Sequence, residues 1–242
     1  MNGQKRKVLM QVHRNGFLYV LDRTNGQLLA ANPYAKVNWA THVDMKTGRP
    51  VESEVSKKLR AGETVDLYPG IRGAKNWPHA SFNPTTGLLY ANTNTGYSTY
   101  RFTPYQPYKA GARYQSVENI NSPVKGDTVA GHMEAIDPLT GKAVWRTPLH
   151  GQMIAAAMLS TGGGLLFTGK HTGEFIAVDA STGQELWSFK TGSGINAQPI
   201  TWTKNGKQYV TVLSGLGGST SGRRGLPDIP LGGSAWTFAL MD

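Results

Sequence analysis

Two ten-residue stretches of this chain carry the same pattern. Ile136–Trp145 reads Ile-Asp-Pro-Leu-Thr-Gly-Lys-Ala-Val-Trp, and Val178–Trp187 reads Val-Asp-Ala-Ser-Thr-Gly-Gln-Glu-Leu-Trp. Both fit Asp-x-x-Thr-Gly-x-x-x-Trp, with their aspartates 42 residues apart. A unit that recurs every ~40–50 residues cannot bury its own apolar face and must stack on its neighbours, which is the signature of a β-propeller.

Each position in the pattern has a physical reason. Phe175-Ile176-Ala177-Val178 and Gly16-Phe17-Leu18-Tyr19-Val20-Leu21 are rich in β-branched and aromatic residues and read as strands. Asp-x-x-Thr-Gly is turn chemistry. The aspartate accepts from backbone N–H groups one or two residues on, and the glycine supplies a positive φ without steric cost. The tryptophan that ends the next strand is large and flat enough to fill the gap between blades. Weaker copies start at Asp22, where Ala30 takes the tryptophan position, and at Asp44, where Glu52 takes it. A third starts at Asn83, which makes the same turn as aspartate. Five copies predict an all-β chain of propeller type.

Composition agrees. Thirty glycines and thirteen prolines among 242 residues suit a turn-dense β protein. No apolar run is long enough to span a membrane as a helix. The formal charge of +10 favours acidic partners. Yet the basic residues are scattered, with local clusters only at Lys5-Arg6-Lys7, around Lys57, Lys58 and Arg60, and at Arg223-Arg224. No recognition motif accompanies them, so nucleic acid is not the expected partner. The absence of cysteine excludes, within these residues, a disulfide, a thiolate zinc site, a cysteine nucleophile and C-x-x-C-H haem attachment. The six histidines are dispersed, no G-x-S-x-G elbow occurs, and Gly215-Leu216-Gly217-Gly218 lacks the Lys-Ser/Thr of a phosphate loop.

Several stretches resemble the C-terminal part of the pyrroloquinoline quinone (PQQ) dependent alcohol dehydrogenases, the methanol and ethanol dehydrogenase family. They are His13-Arg14-Asn15-Gly16 running to Leu21-Asp22-Arg23-Thr24-Asn25-Gly26, Gly73-Ala74-Lys75-Asn76-Trp77-Pro78, Gly164–Gly169 leading into Asp179–Trp187, and Tyr209 through Gly218 with the final strand Ala235–Leu240. They follow the family's order over nearly the whole chain. The resemblance implies an eight-bladed propeller in the family. Residues 1–242 would form a partial propeller domain of about four to five blades that begins part-way through one, at the strand-like Val8–Val12.

The resemblance also implies a site. Arg14 would contact the quinone oxygens of PQQ, Asn76 and Trp77 would contact the cofactor from the next inner loop, and Leu216 falls in the stretch that closes over it. The residue types suit the ligand. PQQ carries three carboxylates and an ortho-quinone whose reduction puts negative charge on oxygen, and a guanidinium aims charge-assisted donors at that charge. An amide offers a donor and an acceptor, and an indole offers a face to a planar ring. The family's calcium or lanthanide ligands and its catalytic aspartate lie upstream of the Arg-Asn-Gly segment. Only thirteen residues precede Arg14 and none is an acid, so no catalytic residue and no metal ligand is expected in this chain. Asp22, Asp44, Asp137 and Asp179 are expected to be turn residues. The implied activity is periplasmic oxidation of a primary alcohol to an aldehyde, with electrons passed to a cytochrome c. A non-catalytic propeller scaffold and a PQQ sugar dehydrogenase are the alternatives.

Overall fold

The computed structural model describes residues 5–104, 106–112, 115–121, 131–149, 156–216 and 229–240. The chain opens with β1 (Val8–Val12), β2 (Phe17–Asp22), β3 (Leu28–Pro33), β4 (Ala40–Val43) and β5 (Pro50–Glu52). One short helix, α1 (Glu54–Arg60), precedes β6 (Val65–Leu67), β7 (Ser81–Asn83), β8 (Leu88–Asn94), β9 (Ser98–Phe102) and β10 (Val117–Asn121). Then follow β11 (Gly131–Ile136), β12 (Ala143–Leu149), β13 (Leu159–Ser160), β14 (Leu165–Gly169), β15 (Glu174–Asp179) and β16 (Glu185–Lys190). The last sheet is built from β17 (Ile200–Lys204), β18 (Lys207–Ser214) and β19 (Ser234–Phe238).

Two compact units emerge, one from Met1–Ala74, Asn94–Thr128 and Leu139–Gly141 and one from Lys75–Thr93, Val129–Pro138 and Lys142–Asp242. The first holds the sheets β1-β2-β3 and β10-β9-β6 and the two-stranded ribbon β4-β5. Phe17, Ala40 and Val43 form one core cluster in it, with Trp39, Val37 and Leu28 packed around them.

The second unit is built around the four-stranded sheets β12-β11-β8-β7 and β13-β14-β15-β16 and the three-stranded sheet β17-β18-β19. Its central strands are buried on both faces. Ile176 and Val178 of β15 enter a cluster with Tyr90, Met133, Ala135 and Leu166, while Phe175 joins Ile195, Val210 and Val212. That double burial is why β15 reads as a continuous apolar run rather than an alternation. The outer strand β16 is mostly exposed.

The repeat is visible as geometry. The hairpins β2–β3, β11–β12 and β15–β16 share one register shift, at Val20/Leu21, Ala135/Ile136 and Ala177/Val178. Just beyond the shift, Ala30, Trp145 and Trp187 stand opposite Val20, Ala135 and Ala177, so Ala30 does occupy the tryptophan position. The turns at Asp44 and Asn83 have the same chemistry in other places: the first joins the ribbon β4–β5 and the second joins β7 to β8. The signature specifies the turn rather than the strand pair that uses it. Asp44 and Asp179 accept from N–H groups two and three residues on, at 2.8 and 2.9 Å in both turns, one residue further than expected from sequence.

Trp145 acts as the expected plug. Its Nε1 donates to the Ala180 carbonyl at 2.9 Å, and its ring lies over Gly183, where a Cβ would fall 2.6 Å from Cε3. Trp187 packs on Phe175 and Phe238 but stays 40% exposed.

Candidate cofactor site

Arg14 sits at the tip of the β1–β2 hairpin in the first unit, and the tip is fixed from every side. The N–H of Gly16 donates to the His13 carbonyl at 3.1 Å, and the Phe17 N–H donates to Asn15 Oδ1 at 3.1 Å. Trp39 Nε1 donates to the Asn15 carbonyl at 3.0 Å, and the Tyr34 hydroxyl donates to the His13 carbonyl at 2.8 Å. Gly16 has φ +95°, and a Cβ there would lie 2.5 Å from Val37 Cγ2, so only glycine lets the chain turn here.

The Arg14 guanidinium donates to the Ile71 carbonyl and lines an open cleft of about 390 Å3 with Trp39, Ile71, Tyr100, Gln115 and Asn119. The opposite lip, Pro69–Gly73, is itself anchored. Gly70 N–H donates to the Gly96 carbonyl at 2.9 Å and Ile71 N–H to Ser98 Oγ at 2.8 Å. Burial pushes the Tyr100 hydroxyl above its ordinary pKa, with Ser98 and Arg14 pulling the other way. Tyr100, Gln115 and Asn119 were not legible as site residues. They come from β9, β10 and the segment between them, far from Arg14 in sequence and marked by no motif.

Asn76, Trp77 and Leu216 belong to the second unit. Asn76 Oδ1 accepts the Trp77 N–H at 2.9 Å, and Trp77 is 62% exposed. An indole so exposed does not fill a gap between sheets. Leu216 is buried, and a Cβ on Gly194 would fall 2.6 Å from its Cδ2. Gly217 and Gly218, the rest of that glycine-rich stretch, lie outside the described residues. Arg223-Arg224 and His150 do too.

The aspartates behave as turn residues. Hydrogen bonds from Ser181, from Thr47 and Lys46, and from Thr24 hold the carboxyls of Asp179, Asp44 and Asp22 below the usual aspartate value. Among the described residues no three of His, Asp or Glu come close enough together to hold a metal ion. Among them, too, no helix is long and apolar enough to cross a membrane.

The model of one protein family, described as PQQ: glucose/ethanol/alcohol dehydrogenase, beta-propeller domain, matches residues 58–210. The chain belongs to this family. A quinoprotein ethanol dehydrogenase of Pseudomonas putida is 39% identical over 255 residues, covering 99% of this chain. A lanthanide-dependent methanol dehydrogenase of Methylacidiphilum fumariolicum (strain SolV) is 39% identical over 90% of the chain. Among solved structures, a europium-containing methanol dehydrogenase superposes over 99% of the chain with a TM-score of 0.85 at 34% identity. The fold is therefore an almost entirely β, partial propeller of the quinoprotein alcohol dehydrogenase type; its turns and strands led one to expect a propeller, and the resemblance its type. The chain spans about 40% of the length of the ethanol dehydrogenase and 36% of the lanthanide-dependent enzyme. The family match takes in Lys75, Asn76 and Trp77 and both tryptophan hairpins. Arg14 and Leu216 lie outside it and are reached by the longer alignment with the ethanol dehydrogenase.

Proposed function

We propose that residues 1–242 are one propeller domain, the C-terminal part of a PQQ-dependent alcohol dehydrogenase, and supply one wall of its cofactor site. The observation that carries this reading is the Arg14 hairpin. A family member presents, on a rigid tip, a guanidinium with one backbone carbonyl partner and an open cleft in front of it. Taken one by one, the residue types suit a planar polyanion. Arg14 brings fixed positive charge, Asn76 an amide, Trp77 an exposed indole face, and Leu216 an apolar packed side chain.

In this reading Arg14 holds the quinone oxygens through charge-assisted hydrogen bonds and stabilises negative charge as it develops there, without reorganising. Trp77 shields one face of the ring from water, and Asn76 fixes its edge. When bound, PQQ supplies the two-electron acceptor, and the chain supplies orientation and electrostatics. Tyr100, Gln115 and Asn119 border the same cleft and shape what can approach Arg14. The catalytic aspartate and the calcium or lanthanide ligands belong, on this proposal, to the part of the relatives that this chain does not match. The whole protein oxidises a primary alcohol to the aldehyde in the periplasm and passes electrons to a cytochrome c, which the +10 charge helps to attract.

The test is a chimera. The Pseudomonas putida ethanol dehydrogenase, with its matching segment replaced by these 242 residues, is purified and assayed for bound PQQ and dye-linked ethanol oxidation. Retention of both supports the proposal. A folded chimera that holds no PQQ refutes it, and one that holds PQQ but oxidises glucose in preference to ethanol shifts it to sugar dehydrogenation.

A further inference from the structure

Next to the Asn76–Trp77 turn lies a charge that neither the turn signature nor the family resemblance explains. Lys75 is only 8% exposed, and burial pulls its ammonium below the ordinary lysine pKa. Its partners are two backbone carbonyls: Nζ donates to Pro78 at 2.5 Å and to Asn76 at 3.2 Å. Those carbonyls bracket Trp77, whose own N–H is taken by Asn76 Oδ1 at 2.9 Å. Three hydrogen bonds thus close the turn on itself while the indole it carries stays 62% exposed.

A cation buried without a carboxylate is costly, because the carbonyl dipoles replace only part of the lost hydration. If the turn needed only a brace, a neutral amide would donate to the same carbonyls at lower cost. A charge at this position also does what a neutral donor cannot: it projects a positive potential from the turn. We propose that Lys75 is a positioning residue that locks Asn76 and Trp77 in their outward-facing arrangement and sets a positive potential over the indole that attracts an anionic ligand. This rests on the reading that Asn76 and Trp77 face the cofactor. It adds that their turn selects a polycarboxylate over a neutral planar molecule.

The test is collisional quenching of Trp77 in the full 242-residue chain at pH 6 and constant ionic strength of about 0.1 M, where charges beyond ~10 Å are screened. The Trp77 signal is obtained as the difference from Trp77→Phe. Iodide probes for positive potential, caesium for negative potential, and anisotropy reports how firmly the turn holds the ring. In Lys75→Met the iodide-to-caesium ratio is expected to fall ~3-fold, the effect of removing one positive charge from beside the turn in a water-like medium. Its Trp77 anisotropy is expected to fall too. Lys75→Arg should keep the parent ratio, Lys75→Gln should lose the ratio while its amide still holds the anisotropy, and Lys75→Leu replaces the methionine variant if that fails to fold. A ratio unchanged in the neutral variants overturns the electrostatic role, and an anisotropy unchanged in the apolar variant overturns the positioning role. Neither measurement uses PQQ, so a negative result here is separable from a chimera that fails to hold the cofactor.

Discussion

Two glycines with nearly the same backbone should respond very differently to alanine. Gly87 and Gly183 both close an Asp/Asn-x-x-Thr-Gly turn in the second unit, with φ of +71° and +74°. A Cβ on Gly87 meets nothing within 4 Å, whereas one on Gly183 lands 2.6 Å from Trp145 Cε3 and 2.7 Å from Thr147 Oγ1. Alanine in the left-handed region costs about 1–2 kcal/mol, offset by roughly 0.4–1 kcal/mol of lost unfolded-state entropy. Gly87→Ala should therefore cost about 1 kcal/mol. Gly183→Ala carries the same backbone cost plus an overpacking cost of about 1–3 kcal/mol, because an indole held by its hydrogen bond to Ala180 cannot simply move away. The assay is equilibrium urea unfolding followed by far-UV circular dichroism. Placing Gly183→Ala in a Trp145→Ala background should lower its cost toward the Gly87 level, leaving only the contact with Thr147 Oγ1. Equal costs for the two glycines, or no coupling to Trp145, would refute the claim that the tryptophan of one hairpin is wedged on the turn of the next.

Glu134 and Arg146 offer a second check, since Glu134 is 1% exposed and paired with Arg146 Nε at 2.5 Å. Burial pushes the Glu134 carboxyl up and Arg146 opposes it, so Arg146→Met raises it further. A carboxyl raised in the folded state makes stability fall as pH rises above the unfolded value near 4.5. The variant should lose about 2 kcal/mol at pH 8, the cost of one charge-assisted hydrogen bond taken from a buried carboxylate, read from urea midpoints, and less at pH 5. The turn aspartates have the opposite sign. Hydrogen bonds from Ser181 and Thr182 depress the Asp179 carboxyl, so its stabilisation is complete above 3.8 and lost as pH falls below it. Asp179→Asn should therefore lose less stability than the parent between pH 5 and pH 2, measured by melting temperature.

What the sequence disclosed was set by what a local pattern can encode. The hairpins at Asp22, Asp137 and Asp179 were readable because glycine at positive φ and an aspartate accepting nearby N–H groups are local requirements. The same locality explains the over-count. Asp44 and Asn83 satisfy those requirements in a ribbon and in a first hairpin, where no tryptophan plug follows. Arg14 could be nominated because its hairpin is one contiguous stretch that resembles the family. Tyr100, Gln115 and Asn119 could not, because only the pairing of β9 with β6 and β10 carries them to the Arg14 cleft. Lys75 was in plain view between Ala74 and Asn76, but its burial and its two carbonyl partners exist only after folding.

The central claim is that cofactor recognition lies in the loops between repeats rather than in the repeats. It is tested most directly by the dissociation constant of PQQ from the ethanol dehydrogenase chimera carrying Arg14→Ala or Arg23→Ala. Both substitutions delete one arginine from the same β1–β2–β3 sheet, one at the cleft and one in the turn after Asp22. A charge-assisted hydrogen bond of about 1.5–3 kcal/mol corresponds to ~10–100-fold in affinity. The account predicts that loss for Arg14→Ala and an unchanged constant for Arg23→Ala. Equal affinity in the two variants would contradict it.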